Sequence, residues 1–86
     1  MTKVTMRYWA AAKQAAGVAE ETFDAETLAG AISAALARRG QDTRLSAVLA
    51  RSSFLVDGSA VGSRAAEDVV LPDAAVIEVL PPFAGG

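Results

Sequence analysis

The run Val76-Ile77-Glu78-Val79-Leu80 is strongly β-branched, and Pro81-Pro82 follows it directly. Proline has no N–H to give a ladder, so this strand has to stop at Leu80. The sequence also opens on a strand. Across residues 3–9, Val4, Met6 and Tyr8 fall on one face, and Thr5, Arg7 and Trp9 on the other. That is a period of two. A strand at each end, with helices between them, is an α+β pattern.

The segment between those strands is well punctuated. Residues 10–16 are alanine-rich and Gly17 follows, which predicts a short helix closed by a glycine cap. Residues 18–23 predict a second strand, with Val18, Glu20 and Thr22 on one face and Phe23 on the other. Over 27–39 the apolar positions Leu28, Ala31, Ile32, Ala35 and Leu36 follow helical spacing. Thr27 is a natural N-cap for that helix. Arg38 and Arg39 suit the dipole of its last turn, and Gly40 suits the position after it. A further helical turn or two begins near Asp42, with Leu45, Val48 and Leu49 on one face. Residues 53–57 predict a third strand. Asp57-Gly58 is a hairpin turn signal, and Ala60-Val61 returns as a short strand. Pro72-Asp73 turns the chain into the last strand at 76–80.

Composition bounds the chemistry. With 86 residues the chain has the length of one small domain. It holds no Cys and no His, so it offers no disulfide, thiolate nucleophile or imidazole base, and no Cys/His zinc or iron–sulfur site. Eight basic against ten acidic residues leave a net charge of −2, which argues against a nucleic-acid partner. No apolar run of about 18 residues exists, so no membrane-spanning helix is expected. The first residues read as a strand and not as a targeting segment, and the expected location is cytoplasmic.

The tail Leu80-Pro81-Pro82-Phe83-Ala84-Gly85-Gly86 carries the most information. Taken alone, a glycine-rich end is what a frayed terminus looks like. Glycine also suits a backbone that must pass through a tight space. A last strand followed by Pro-Pro-x-x-Gly-Gly resembles the MoaD/ThiS family of sulfur carriers, and within it the small subunits of molybdopterin synthase. The resemblance extends to the opening strand and Gly17, the Thr27-capped helix, the Phe54-Leu55-Val56-Asp57-Gly58 hairpin and the Leu71-Pro72-Asp73 turn. Two departures are mild. Ala84 stands where many relatives have a small hydroxyl residue, and Asp73-Ala74-Ala75 lacks the glycine common in that turn.

The resemblance implies a β-grasp, or ubiquitin-like, fold over residues 1–80 and a flexible tail over 81–86. In that fold the first and last strands pair in parallel at the sheet centre, and the long helix packs across one face. It implies that an E1-like adenylyltransferase uses ATP and magnesium to adenylate the carboxylate of Gly86. A sulfur donor protein then supplies the sulfur that displaces AMP. The resulting thiocarboxylate serves the large subunit of molybdopterin synthase, in a heterotetramer, for building the dithiolene of the molybdenum cofactor. The chain itself is then not an enzyme and holds no metal. Pro81, Pro82, Phe83, Ala84 and Gly85 thread the tail into the partner. Six residues reach about 20 Å when extended.

Strand alternation brings Trp9 and Leu80 onto one exposed face near the root of the tail, a pattern that often marks an interface. Trp9 folded over a sheet edge is the plainer alternative. Arg7, Arg64 and Glu78 are expected at the rim. Other readings stay open: a carrier for thiamine or cysteine synthesis, or a ubiquitin-like modifier that joins Gly86 to a lysine. The Pro81-Pro82 pair favours the molybdopterin branch.

Overall fold

The computed structural model of the chain describes residues 2–82. In chain order the elements are β1 (Lys3–Tyr8), α1 (Ala10–Ala16), β2 (Glu20–Asp24), α2 (Leu28–Arg38), α3 (Thr43–Arg51), β3 (Ser53–Val56), β4 (Ser59–Ala60), a 3-10 turn (Ala66–Asp68) and β5 (Val76–Leu80). The strands form one mixed sheet in the order β2-β1-β5-β3-β4. β1 and β5 run parallel, pairing Thr5 with Val76 through to Tyr8 with Val79. Every other pairing is antiparallel. The expected β-grasp arrangement is therefore present, with the first and last strands side by side inside the sheet.

Alternation along the strands sets the core. Val4, Met6 and Tyr8 of β1, Phe23 of β2, and Ile77 and Val79 of β5 are buried on one face. They pack against Ala12 of α1, Leu28, Ala31 and Ala35 of α2, and Leu45, Val48 and Leu49 of α3. Alanine contributes to this core, with Ala12, Ala31 and Ala35 each fully buried in it. Ile32 and Leu36, expected in the same stripe, lie half-buried at its margin.

The caps follow the sequence logic. The Thr27 hydroxyl accepts from the Gly30 N–H at 3.1 Å, a bond that contributes about 1 kcal/mol. Past the end of α2, Gly40 N–H donates to Ala37 O and Gln41 N–H to Leu36 O, and Gly40 takes the left-handed φ of 64°. That pattern satisfies carbonyls the helix leaves free. The Asp42 carboxylate caps α3 through the N–H groups of Arg44 and Leu45.

Several boundaries differ from expectation. The second strand starts at Glu20, not at residue 18, because pairing with β1 begins where Arg7 faces Glu20. Val18 stands exposed in a bend. The hairpin returns at Ser59–Ala60, not at 60–61, since Asp57 (φ 50°) and Gly58 (φ 83°) are themselves the two corner residues. Val61 is thereby released into the core. The turn or two after Asp42 is a nine-residue helix. The 3-10 turn at 66–68 has no periodic signature in the sequence.

Candidate functional site

β5 leaves the middle of the sheet at Leu80 and runs into Pro81 and Pro82. Whatever follows is therefore delivered from the sheet centre. The expected tail residues Phe83, Ala84, Gly85 and Gly86 lie outside the described residues.

Around the exit, strand register gathers apolar side chains. Tyr8 pairs with Val79, so Trp9 and Leu80 lead out of the same end of neighbouring strands. On the other side of β1, the Tyr8 N–H donates to Ala19 O at 2.8 Å, so the next positions out are Trp9 and Val18. Trp9 is 46% exposed and Val18 41%, while Leu80 and Pro81 are half-buried. A broad open depression beside the indole is lined by Trp9, Ala10, Lys13, Gln14 and Gly17. The register thus puts Trp9 and Leu80 at the same end of neighbouring strands, Trp9 exposed and Leu80 half-buried. From the sequence Val18 looks like one more strand residue; in the structure it lies beyond the end of the ladder, at the position following Ala19, which pairs with Tyr8.

The face of the sheet away from the core carries the charged residues. One row crosses four registers: Glu20 faces Arg7, Arg7 faces Glu78, Glu78 faces Leu55, and Leu55 faces Ala60. Arg7 is half-buried, and its Nε lies 3.3 Å from Glu20 Oε1. Its guanidinium is turned towards β2, away from the tail root. Glu78 instead accepts from the indole Nε1 of Trp9 at 3.2 Å. Arg64, expected at the rim, folds back on its own loop and donates to the carbonyls of Val61 and Ala60.

A second charged cluster escapes sequence reading altogether. Tyr8 Oη donates to Glu21 Oε2 at 2.6 Å, and Arg39 donates through Nη2 to Glu21 Oε1 at 2.8 Å. Arg39 also donates to Ala16 O and Ala35 O, tying the ends of α1 and α2 to β2. Arg38 reaches Glu21 at 3.2 Å and the carbonyl of Thr22, and its guanidinium lies over the Phe23 ring. Burial pushes the Tyr8 phenol far above its usual value, and the Glu21 carboxylate pushes it further. Burial alone would also raise the Glu21 carboxyl, but the Arg39 and Tyr8 hydrogen bonds outweigh it and hold it below the usual 4.5. The bond to Glu21 raises Arg39 in turn. Among the described residues no buried polar side-chain atom lacks a partner, and the cluster is a latch that ties β2 to the ends of α1 and α2.

Among the described residues no group of three acidic side chains is placed to hold a metal ion, and no helix is long and apolar enough to cross a membrane. What the arrangement offers is a five-stranded sheet, an exit for the chain from its middle strand, and Trp9, Val18 and Leu80 at that end of the sheet.

The sequence matches the ThiS family over residues 6–86. No curated protein matches the chain. Among solved structures, small archaeal modifier protein 1 from Methanosarcina acetivorans superposes with a TM-score of 0.82 at 20% identity, over 100% of this chain and 98% of that one. The putative molybdopterin converting factor, subunit 1, from Pyrococcus furiosus gives 0.75 at 23% identity, over 96% and 100%. The complex of subunits 1 and 2 of the molybdopterin-converting factor from Helicobacter pylori gives 0.68 at 20% identity, over 99% and 100%. At these identities the likeness is one of fold.

Proposed function

The chain belongs to the ThiS family, and from that premise we propose that it is a sulfur carrier for molybdopterin synthesis, charged at the carboxylate of Gly86. The observation that carries this reading is the exit of β5 from the sheet centre into Pro81-Pro82, beside Trp9, Val18 and Leu80. A rigid domain over residues 1–80 presents a short tail over 81–86, and an apolar patch lies at the root of that tail.

The chemistry needs little from the chain itself. A carboxylate is a poor electrophile. An E1-like adenylyltransferase, using ATP and magnesium, joins Gly86 to AMP and releases pyrophosphate. Hydrosulfide then attacks the same carbonyl carbon; where a donor protein's persulfide attacks instead, a thiol reductant cleaves the resulting acyl disulfide and releases the donor. The carbon–oxygen bond to AMP breaks and a thiocarboxylate remains. Pro81 stiffens the exit and Pro82 extends it. Phe83 anchors in the partner's groove. Ala84 and Gly85 pass through its narrowest part, because neither carries a side chain beyond Cβ. The large synthase subunit then takes the sulfur for a pterin precursor. Trp9 and Leu80 form the docking contacts on this chain, Arg7 lies at their rim where its guanidinium pairs with Glu20, and the cytoplasm is the expected compartment.

A ubiquitin-like modifier is the second reading, favoured by the fold likeness to small archaeal modifier protein 1. It uses the same activated Gly86 but ends on a lysine instead of a pterin. Reconstitution separates the two. Incubation with the adenylating enzyme, ATP, magnesium and sulfide is expected to replace one C-terminal oxygen by sulfur in the intact mass. Addition of the large subunit and the cyclic pterin precursor then discharges it. A chain that stays uncharged, or that appears only as conjugates on lysines, overturns the carrier reading.

A further inference from the structure

We propose that Glu78 is a positioning residue: its carboxylate pins the indole of Trp9 across β5, so that the docking patch is set before a partner arrives. The inference rests on the docking role of Trp9 given above, and adds the group that fixes what Trp9 presents.

Three observations support it. First, Glu78 accepts the indole N–H at 3.2 Å across 69 residues of sequence. Second, this carboxylate has an obvious alternative partner and does not take it. Arg7 is its register neighbour on β1, yet the Arg7 side chain pairs with Glu20 on the opposite side. Among the described residues Glu78 has no cationic partner, so its polar contact is the indole. Third, both ends of the contact stand on firm backbone. Glu78 sits on a strand hydrogen-bonded to β1 on one side and β3 on the other. Trp9 is extended (φ −121°, ψ 150°) at the corner where β1 turns into α1, and Ala10 takes a left-handed φ of 49° to make that turn. What is left free is the rotation of the indole about its own side-chain bonds, and that is what the Glu78 bond removes.

The consequence for binding is preorganisation. A half-exposed tryptophan with no anchor would have to be ordered on docking, and ordering a large side chain weakens binding by roughly threefold to tenfold. An ionised acceptor makes a stronger bond to the indole N–H than a neutral one. Glutamine keeps an acceptor oxygen at the same reach, whereas alanine leaves the N–H to solvent.

Trp9 is the single tryptophan of the sequence, so its fluorescence reports on the contact directly. Glu78→Ala is expected to increase acrylamide quenching of Trp9 and lower its anisotropy in the isolated chain, and Glu78→Gln to restore both in large part. A circular dichroism melt of each variant checks that the sheet is intact. Affinity for the large synthase subunit of the same organism, read by calorimetry, is expected to fall roughly threefold to tenfold in Glu78→Ala. In a Trp9→Ala background the same substitution is expected to change nothing further, because Glu78 acts through the indole. Unchanged quenching and anisotropy in Glu78→Ala overturn the pin itself. Altered fluorescence with an affinity loss that persists in the Trp9→Ala background shows that Glu78 touches the partner directly, which overturns the positioning role. If Trp9→Ala alone leaves affinity intact while the fluorescence contrast stands, the docking reading fails, and the proposal with it.

Discussion

Replacing Glu21 by glutamine is the sharpest way to test how β2 is held to the two helices beside it. The carboxylate receives Tyr8 at 2.6 Å, Arg39 at 2.8 Å and Arg38 at 3.2 Å. The Glu21 side chain is 10% exposed and Arg39 15%, whereas Arg38 is 50% exposed. Solvent screening therefore reduces the Arg38 share to a fraction of 1 kcal/mol. The Arg39 share is that of a hydrogen bond to a charged group in a largely dry site, about 1.5–3 kcal/mol. Glutamine retains one acceptor but turns an NH2 group towards a guanidinium. The expected loss is about 2–3 kcal/mol, which in a domain of this size lowers Tm by roughly 10–20 °C.

The pH dependence is fixed by sign. Glu21 is held below its ordinary 4.5, so its contribution is fully present above that value and fades as pH falls through the lower folded value. The Tyr8 phenol is raised above its ordinary 10.0, so its contribution is present below that value and fades as pH rises through the higher folded value. The gap in Tm between wild type and Glu21→Gln should thus be widest near neutrality. It should narrow as pH falls below 4.5 and wild-type Glu21 takes up its proton. Calorimetric melts between pH 2.5 and 8 measure it, on the order of one melt per half unit of pH. An Arg39→Gln cycle should give a coupling of at least about 1 kcal/mol. A Tm gap of under roughly 4 °C at pH 7, or one that does not change with acid, refutes the latch.

Three further outcomes are expected. Deletion of Gly86 should abolish thiocarboxylate formation while leaving the melt within about 0.5 kcal/mol of wild type; intact mass after reconstitution reads the first and circular dichroism the second. Trp9→Ala should weaken binding to the large subunit by about 2 kcal/mol or more, the loss expected at an interface hot spot, with a smaller loss of stability, since the indole is 46% exposed; calorimetry of binding and of unfolding gives the comparison. Ala74→Gly should stabilise the fold by about 0.5–1 kcal/mol, because Ala74 holds a left-handed φ of 68° that glycine takes without strain; urea unfolding with an unchanged m-value checks it.

The residues that were legible in the sequence and those that were not divide on how far apart their partners lie. β5 and β1 are readable because alternation and Pro81-Pro82 are local signals. The ends of α1 and α2 are readable because Gly17, Thr27 and Gly40 cap within a turn. Val18 falls outside the second strand because a strand exists only where a neighbour pairs with it, and β1 ends at Tyr8. The return strand starts at Ser59, one residue before Ala60-Val61, because the hairpin corner takes both Asp57 and Gly58. Glu21 gives no local sign of its three partners, since Tyr8, Arg38 and Arg39 lie 13 to 18 positions away.

The candidate site shows the same division. Trp9 and Leu80 were recognisable one strand at a time, from alternation alone. What makes them neighbours is the parallel pairing of β1 with β5, which closes a crossover through nearly the whole chain. The same pairing sets Glu78 beside Arg7, and the pull of Glu20 on Arg7 leaves the Glu78 carboxylate to the indole. A charge swap on β2, Glu20→Arg, should therefore be felt at Trp9 although the two never touch: Arg7, repelled from β2, turns to Glu78 and competes with the indole. Acrylamide quenching of Trp9 should rise in Glu20→Arg and return towards wild type in Glu20→Arg/Arg7→Glu, where β2 again holds its partner. Quenching that stays constant across both variants would show that Arg7 does not govern the Glu78 contact.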